Sequence, residues 1–263
     1  SSAFRRGSIV SWPPDKRVAS NSVKATVPDG ELVYAIGDIH GRRDLLSVLL
    51  ALIEQDAAQS DCAKKILVFL GDYVDRGPDS RGVIERLIEG LPDGFEAHFL
   101  KGNHEQLLLD FLKDPNWLAP WRRNGGEPTL LSYGVDVDRL DRSGAPPKAW
   151  REAFAPALPD SHLKFLEGLG MNCVIGDYVF VHAGLRPGVP LSDQVPADLL
   201  WIRSEFLDAQ ESFGKVVVHG HTPERKPVVR ENRIGIDTAA VFTGCLTALR
   251  LANGTQDFLR TPP

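Results

Sequence analysis

The sequence has little cysteine, no long apolar run and no excess of basic charge. Its three cysteines, Cys62, Cys173 and Cys245, are widely spaced and form no CxxC pair. That excludes a disulfide framework and a structural thiolate zinc site, and leaves reduced, buried thiols as the expectation. No apolar run approaches the roughly 18 residues of a membrane span, and the N-terminus carries no basic-then-apolar secretion signal. A soluble, cytoplasmic chain without a membrane partner is therefore expected. The 30 Lys and Arg against 35 Asp and Glu give a net charge of -5, which argues against a general nucleic-acid binder while leaving room for a local basic pocket. Repeats of solenoid type are also missing. What is present is a composition near the globular average, 43% hydrophobic and 25% charged in 263 residues, enough for one α/β domain with insertions.

Residues 1–30, with Pro13, Pro14, Pro28 and many serines, read as an N-terminal extension, in which Arg5-Arg6-Gly7-Ser8 has the form of a basic kinase site on a solvated tail. Residues 31–263 read as the catalytic domain, with short apolar runs alternating with helical patterns. Strands are expected at 32–36, 66–70 and 97–100, and helices at 45–53, 83–88 and 106–112, an order that implies right-handed crossovers and a parallel start to the sheet. The Pro-, Gly- and Trp-rich stretch 114–159 reads as an insertion over one face. A helix at 162–169 and strands at 171–175, 179–182 and 216–219 follow. The short runs at 228–229, 233–236, 245–251 and 258–259 suggest an antiparallel finish.

The polar residues gather at the strand ends. After the first strand comes Gly37-Asp38-Ile39-His40-Gly41, and after the second Gly71-Asp72-Tyr73-Val74-Asp75-Arg76-Gly77. The third ends in Gly102-Asn103-His104-Glu105, and later ones in His182-Ala183-Gly184 and His219-Gly220-His221-Thr222. In an open α/β sheet these ends share one edge, so groups distant in sequence converge on one crevice. Asp, His and Asn without Cys form an oxygen-and-nitrogen donor set suited to Mn, Fe, Zn, Co or Ni. Asp38 and His40, two apart, can chelate one ion. Asp72 can bridge to a second, whose shell Asn103, His182 and His221 complete. Two such ions about 3.5 to 4 Å apart activate a water and clamp an in-line phosphoryl displacement. His98 and His162 lie outside these segments and are expected to be structural.

In order and spacing, these motifs resemble the metallophosphoesterase superfamily, and within it the PPP phosphoprotein phosphatases of bacterial and phage type. Trp121-Arg122-Arg123-Asn124-Gly125-Gly126 resembles the Trp-x-x-Asn-Gly-Gly loop of that subgroup. The resemblance implies a four-layer α/β (α+β) fold, a central β-sandwich flanked by helices. It implies two divalent metal ions, with Mn the leading choice, on Asp38, His40 and Asp72 and on Asp72, Asn103, His182 and His221. It places a general acid at His104, its orienting carboxylate at Asp75, phosphate-gripping guanidiniums at Arg76 and Arg203, and a substrate contact at Asn124. His219 is expected behind the ligands. The implied activity is dephosphorylation of phosphoserine or phosphothreonine in a protein or peptide partner, by a monomer or weak oligomer, with small phosphoesters also accepted. A dinucleoside tetraphosphatase is the alternative within hydrolases, and Asp75 and Glu105 favour the phosphoprotein branch over it. An inactive phosphoprotein-binding module is the alternative from another class, and no ligand or acid is missing to support it.

Overall fold

The computed structural model describes residues 25–262. The basic Arg5–Ser8 motif and most of the N-terminal extension lie outside them. The chain opens with β1 (Glu31–Ile36), α1 (Arg43–Ala57), β2 (Lys64–Phe69), α2 (Ser80–Glu89) and β3 (Phe95–Phe99). α3 (Asn103–Lys113) leads into a helical segment of α4 (Leu118–Arg123), α5 (Glu127–Ser132), α6 (Val137–Arg142), α7 (Pro147–Phe154) and α8 (Asp160–Glu167). β4 (Asn172–Ile175), β5 (Tyr178–Val181), α9 (Pro196–Trp201), α10 (Ser204–Leu207) and β6 (Val216–His219) come next. β7 (Val228–Val229), β8 (Arg233–Gly235), α11 (Ala240–Thr243), β9 (Thr247–Ala252) and β10 (Thr255–Arg260) close the chain.

The strands form two five-stranded sheets, ordered β10-β9-β1-β2-β3 and β4-β5-β6-β8-β7. The period-2 alternation of the strands explains why they stack. In β1, Leu32, Tyr34 and Ile36 face one core under the helices, while Val33 and Ala35 face a second core between the sheets. In β5, Tyr178 and Phe180 enter that inter-sheet core, and Val179 and Val181 face a third with Leu199 of α9, Ile202 just after it and Phe206 of α10. The result is helices, sheet, sheet, helices: the four-layer sandwich expected from the sequence.

Three details differ from the sequence-based expectation. β1, β2 and β3 run parallel as expected, but β5, β6 and β8 are parallel too, so each sheet is mixed and the finish is not purely antiparallel. α3 begins at Asn103 rather than near Gln106, because Glu105 folds back to accept the backbone N–H of Gly102, the glutamate half of a capping box, and this starts the helix three residues early. Asn103 and His104 therefore project from a first helical turn. Finally, Val27 is buried in the inter-sheet core and Thr26 N–H donates to Asp177 Oδ2 at 2.9 Å, so the extension is already packed by this point. That contact lies at the turn before β5, the end of the strand opposite His182.

Candidate active site

The loops after β1, β2, β5, β6 and β8 meet the N-terminus of α3 at one edge of the sandwich. Strain concentrates there. His40, Asp72, Asp75, Arg76 and His221 all have positive φ, between 46° and 72°. For residues with a Cβ, such conformations persist only where surrounding bonds over-determine them. Asp72 shows how: its N–H donates to Glu105 Oε2 at 2.9 Å, and its carbonyl accepts from Ile39 and His40 at 3.1 and 2.8 Å.

Asp38, His40, Asp72, Asn103, His182 and His221 are each at most 5% exposed, and the structure brings them together. The Asp72 carboxylate divides its two oxygens, with Oδ2 3.4 Å from His40 Nε2 and Oδ1 3.5 Å from His182 Nε2. Donor atoms of His40, Asp72 and His104, and of Asp72, His182 and His221, lie within 4.8 Å of one another in each group. Asp38 accepts the His221 N–H on both oxygens, at 3.2 and 3.1 Å.

The donor chemistry fits divalent cations. Nδ1 of His40 and of His182 lies 2.9 Å from the carbonyls of Val74 and Leu70, so each imidazole donates outward and turns the Nε2 lone pair inward. Asn103 Oδ1 is 2.9 Å from both His182 Nε2 and His221 Nδ1, and those nitrogens are 3.2 Å apart. One proton on His221 Nδ1 satisfies only one of these contacts, leaving lone pairs facing each other; a shared cation resolves the arrangement. His221 Nε2 and His104 Nε2 are buried without hydrogen-bond partners. Arg76 Nη1 stands 2.9 Å from His40 Nε2, so the guanidinium competes with a cation for that lone pair.

Electrostatics agree with this reading. Burial, Asp237 and Asp72 push the Asp38 carboxyl well above its usual range, and burial and Glu105 do the same to Asp72. Burial lowers His40 and His221 and brings His182 down to about 3, so the imidazoles are neutral, the form in which they ligate. Crowded carboxyls beside neutral imidazoles make a well that is stabilised by added positive charge.

His104 is fully buried, with Nδ1 2.7 Å from Asp75 Oδ2. Burial and the Arg76 guanidinium take the imidazole down to about 3, while burial pushes Asp75 up to about 7. The two share a short hydrogen bond. When the pair carries one proton beyond neutral imidazole and carboxylate, whether as imidazolium and carboxylate or as imidazole and carboxylic acid, Nε2 carries a hydrogen that points into the site.

Arg76 and Arg203 are exposed at the rim, and Arg203 Nη1 donates to Thr222 Oγ1 at 3.2 Å. Asn124 sits at the C-terminal end of α4. Its Nδ2 donates to the Pro120 carbonyl at 2.9 Å, committing the side chain to the end of α4. His219 faces Phe206 and Arg233 instead of the donor group. His98 pairs with Glu96 and His162 with Tyr133, both away from the site. Sequence reasoning missed Asp237, just past β8, which is 6% exposed and close enough to Asp38 for its charge to push the Asp38 carboxyl upward. A carboxylate just after a strand was the available signal, obscured because β8 spans only three residues.

A four-layer mixed sandwich whose strand ends converge oxygen and nitrogen donors defines the class of metal-dependent phosphoesterases. The chain belongs to the calcineurin-like phosphoesterase family, whose sequence pattern matches residues 32–244 and whose members use a binuclear divalent centre. It is 30% identical over 224 residues to a serine/threonine-protein phosphatase 1 of Salmonella typhimurium, covering 83% of this chain and 91% of that protein. It is 27% identical over 240 residues to an asymmetrical bis(5'-nucleosyl)-tetraphosphatase PrpE of Geobacillus thermodenitrificans, covering 82% and 88% respectively. The crystal structure of a putative diadenosine tetraphosphatase superposes with a TM-score of 0.59 at 23% identity, covering 90% of this chain and 97% of that one, a likeness of fold.

Proposed function

We propose that this hydrolase acts on phosphate monoesters with alkoxide leaving groups, as in phosphoserine and phosphothreonine side chains of proteins. The observation that carries this reading is the buried Asp75–His104 pair, with its 2.7 Å contact and an otherwise unpartnered Nε2. A serine alkoxide is a poor leaving group and needs a proton as the P–O bond breaks, whereas a nucleotide leaving from a polyphosphate departs as a stable anion. A built proton donor therefore favours the first substrate.

Two divalent cations, when held by Asp38, His40 and Asp72 and by Asp72, Asn103, His182 and His221, supply Lewis acidity and an activated water. Arg76 and Arg203 offer guanidinium forks to the phosphate oxygens at the rim and neutralise charge that builds there. His104 delivers its Nε2 proton to the leaving oxygen, and Asp75 holds the ring through Nδ1. The dianionic phosphate entering beside Arg76 offsets that guanidinium and favours the protonated pair.

A side-by-side assay in excess Mn²⁺ tests the reading with a phosphoserine peptide, a phosphotyrosine peptide and diadenosine tetraphosphate, using Asp72→Asn as the blank. Preference for phosphoserine is expected. Preference for the dinucleotide would move the enzyme to the activity named for PrpE, and preference for phosphotyrosine would change the protein substrate. Silence on all three would refute the catalytic reading and favour a phosphoprotein-binding module.

A further inference from the structure

Asp75 is held by more than His104. The carboxylate takes Trp121 Nε1 on Oδ2 at 2.9 Å and on Oδ1 at 3.1 Å, and the Thr129 hydroxyl on Oδ1 at 2.6 Å. The Asp75 N–H is received by Thr129 Oγ1 at 2.9 Å and by Ser80 Oγ at 3.0 Å, and those hydroxyls are 2.9 Å apart. Trp121, Thr129, Ser80, Asp75 and His104 are all 0% exposed. The indole N–H is a donor only, and it donates to this carboxylate.

Trp121 is in turn locked in place. Its ring stacks on Phe111 with centroids 5.0 Å apart and lies 5.6 Å from Phe154. A Cβ on Gly126 would overlap the indole, which accounts for the second glycine of the Trp-x-x-Asn-Gly-Gly pattern. The first, Gly125, takes φ +100° and presents its carbonyl to the Arg76 N–H at 2.9 Å. The α4–α5 segment thus grips both the carboxylate behind the acid and the backbone of the adjacent arginine.

We propose that Trp121 and Thr129 are positioning residues for proton donation by His104, so that the helical segment between α3 and β4 completes the site instead of merely covering it. The inference rests on the acid role given to His104 above. Two donors from fixed helices set the plane of the Asp75 carboxylate, aim Oδ2 at His104 Nδ1, and so direct Nε2 toward the leaving oxygen. Of the two donors, Trp121 reaches both carboxylate oxygens, and Thr129 also ties the carboxylate to its own backbone.

The test uses the full Mn-loaded chain with Trp121→Phe, which keeps an aromatic ring but removes the indole N–H, and Thr129→Val, which keeps the shape but removes the hydroxyl. The readout is the ratio of kcat on a phosphoserine peptide to kcat on para-nitrophenyl phosphate, whose leaving group needs little protonation. That ratio should fall about tenfold in each variant, within the 10² to 10⁴ that a general acid contributes. The double variant should fall no further than His104→Asn, because residues acting through one group are not additive. Equal losses on both substrates, or no loss, would overturn the proposal. The second readout needs no turnover and uses the Zn²⁺-loaded chain, whose cation is diamagnetic and leaves nearby resonances sharp: the Nδ1 proton of His104, identified by its absence in His104→Asn, should shift in the NMR spectrum of both variants. If the unaltered chain hydrolyses neither substrate, the proposed function fails and this resonance alone decides. A shift then sustains the positioning role, and an unmoved resonance overturns it.

Discussion

Glu105 Oε2 accepts the backbone N–H of Asp72 at 2.9 Å, and the same carboxylate also receives the N–H groups of Gly102, Tyr73 and Val74 at 2.9, 2.8 and 3.2 Å. One buried side chain thereby fixes the loop after β2 and the start of α3, the two segments that present Asp72 and His104. Glu105→Gln keeps the volume but turns an amide NH₂ toward backbone donors. A loss of about 2 to 4 kcal/mol is expected above about pH 7, the value to which burial raises the Glu105 carboxyl, since hydrogen bonds to an ionised buried acceptor are among the stronger ones. Urea denaturation measures it, and an unchanged midpoint would show that the four contacts contribute nothing net.

Gly102→Ala should act on the same loop from the other side. A Cβ there would collide with Asp72 Oδ1, which accepts the His104 N–H, and with the Asp72 backbone nitrogen, which donates to Glu105, so neither can move without disturbing a bond that holds the loop. The expected outcome is at least a tenfold weaker Mn²⁺ affinity, or about 1.4 kcal/mol, read by titration of the folded variant. Wild-type affinity would mean that Asp72 is not needed where the structure puts it.

His104→Asn should lower turnover of the phosphoserine peptide by about 10² to 10⁴ while leaving cation stoichiometry intact. The two effects separate because His104 Nε2 lies 3.9 Å from Asp72 Oδ2, close enough to share its surroundings without being part of the proposed ligand set. Parallel loss of Mn²⁺ and of activity would recast His104 as a ligand.

The fold and much of this site were legible because both rest on short-range rules. Alternating apolar residues marked β1, β2 and β5, and Asp, His or Asn beside glycine at the strand ends marked the donors. The start of α3 was not legible, since its cap comes from Glu105 inside the helix and Gly102 has no side chain to advertise it. The parallel pairing of β6 with β8 joins positions 16 apart, as Val217 with Arg233 and His219 with Gly235, in strands too short to carry a pattern. The link from Trp121 to Asp75 spans 46 positions and exists only once α3, α4 and α7 have packed their aromatic rings. Trp121 reads in the sequence as part of a motif, but its chemical partner emerges from tertiary packing.

Cation binding should release protons, and its dependence on pH follows from the same crowding. Asp38 and Asp72 have carboxyls raised by burial and by neighbouring acids. They contribute stability below the unfolded value of about 3.9, and that contribution is lost as pH rises through the raised folded values. The lowered imidazoles run the other way: His182, at about 3 in the fold, contributes stability above its unfolded value, and that is lost as pH falls toward 3. A bound divalent cation removes the carboxyl penalty by taking the ionised form, expelling the protons, and gains nothing from imidazoles that are already neutral. The rise in Tm produced by a fixed concentration of Mn²⁺, relative to an EDTA-treated sample, should therefore be larger at about pH 8 than at about pH 5. A shift that grew toward low pH would mean that Asp38 and Asp72 are not the groups that meet the cation.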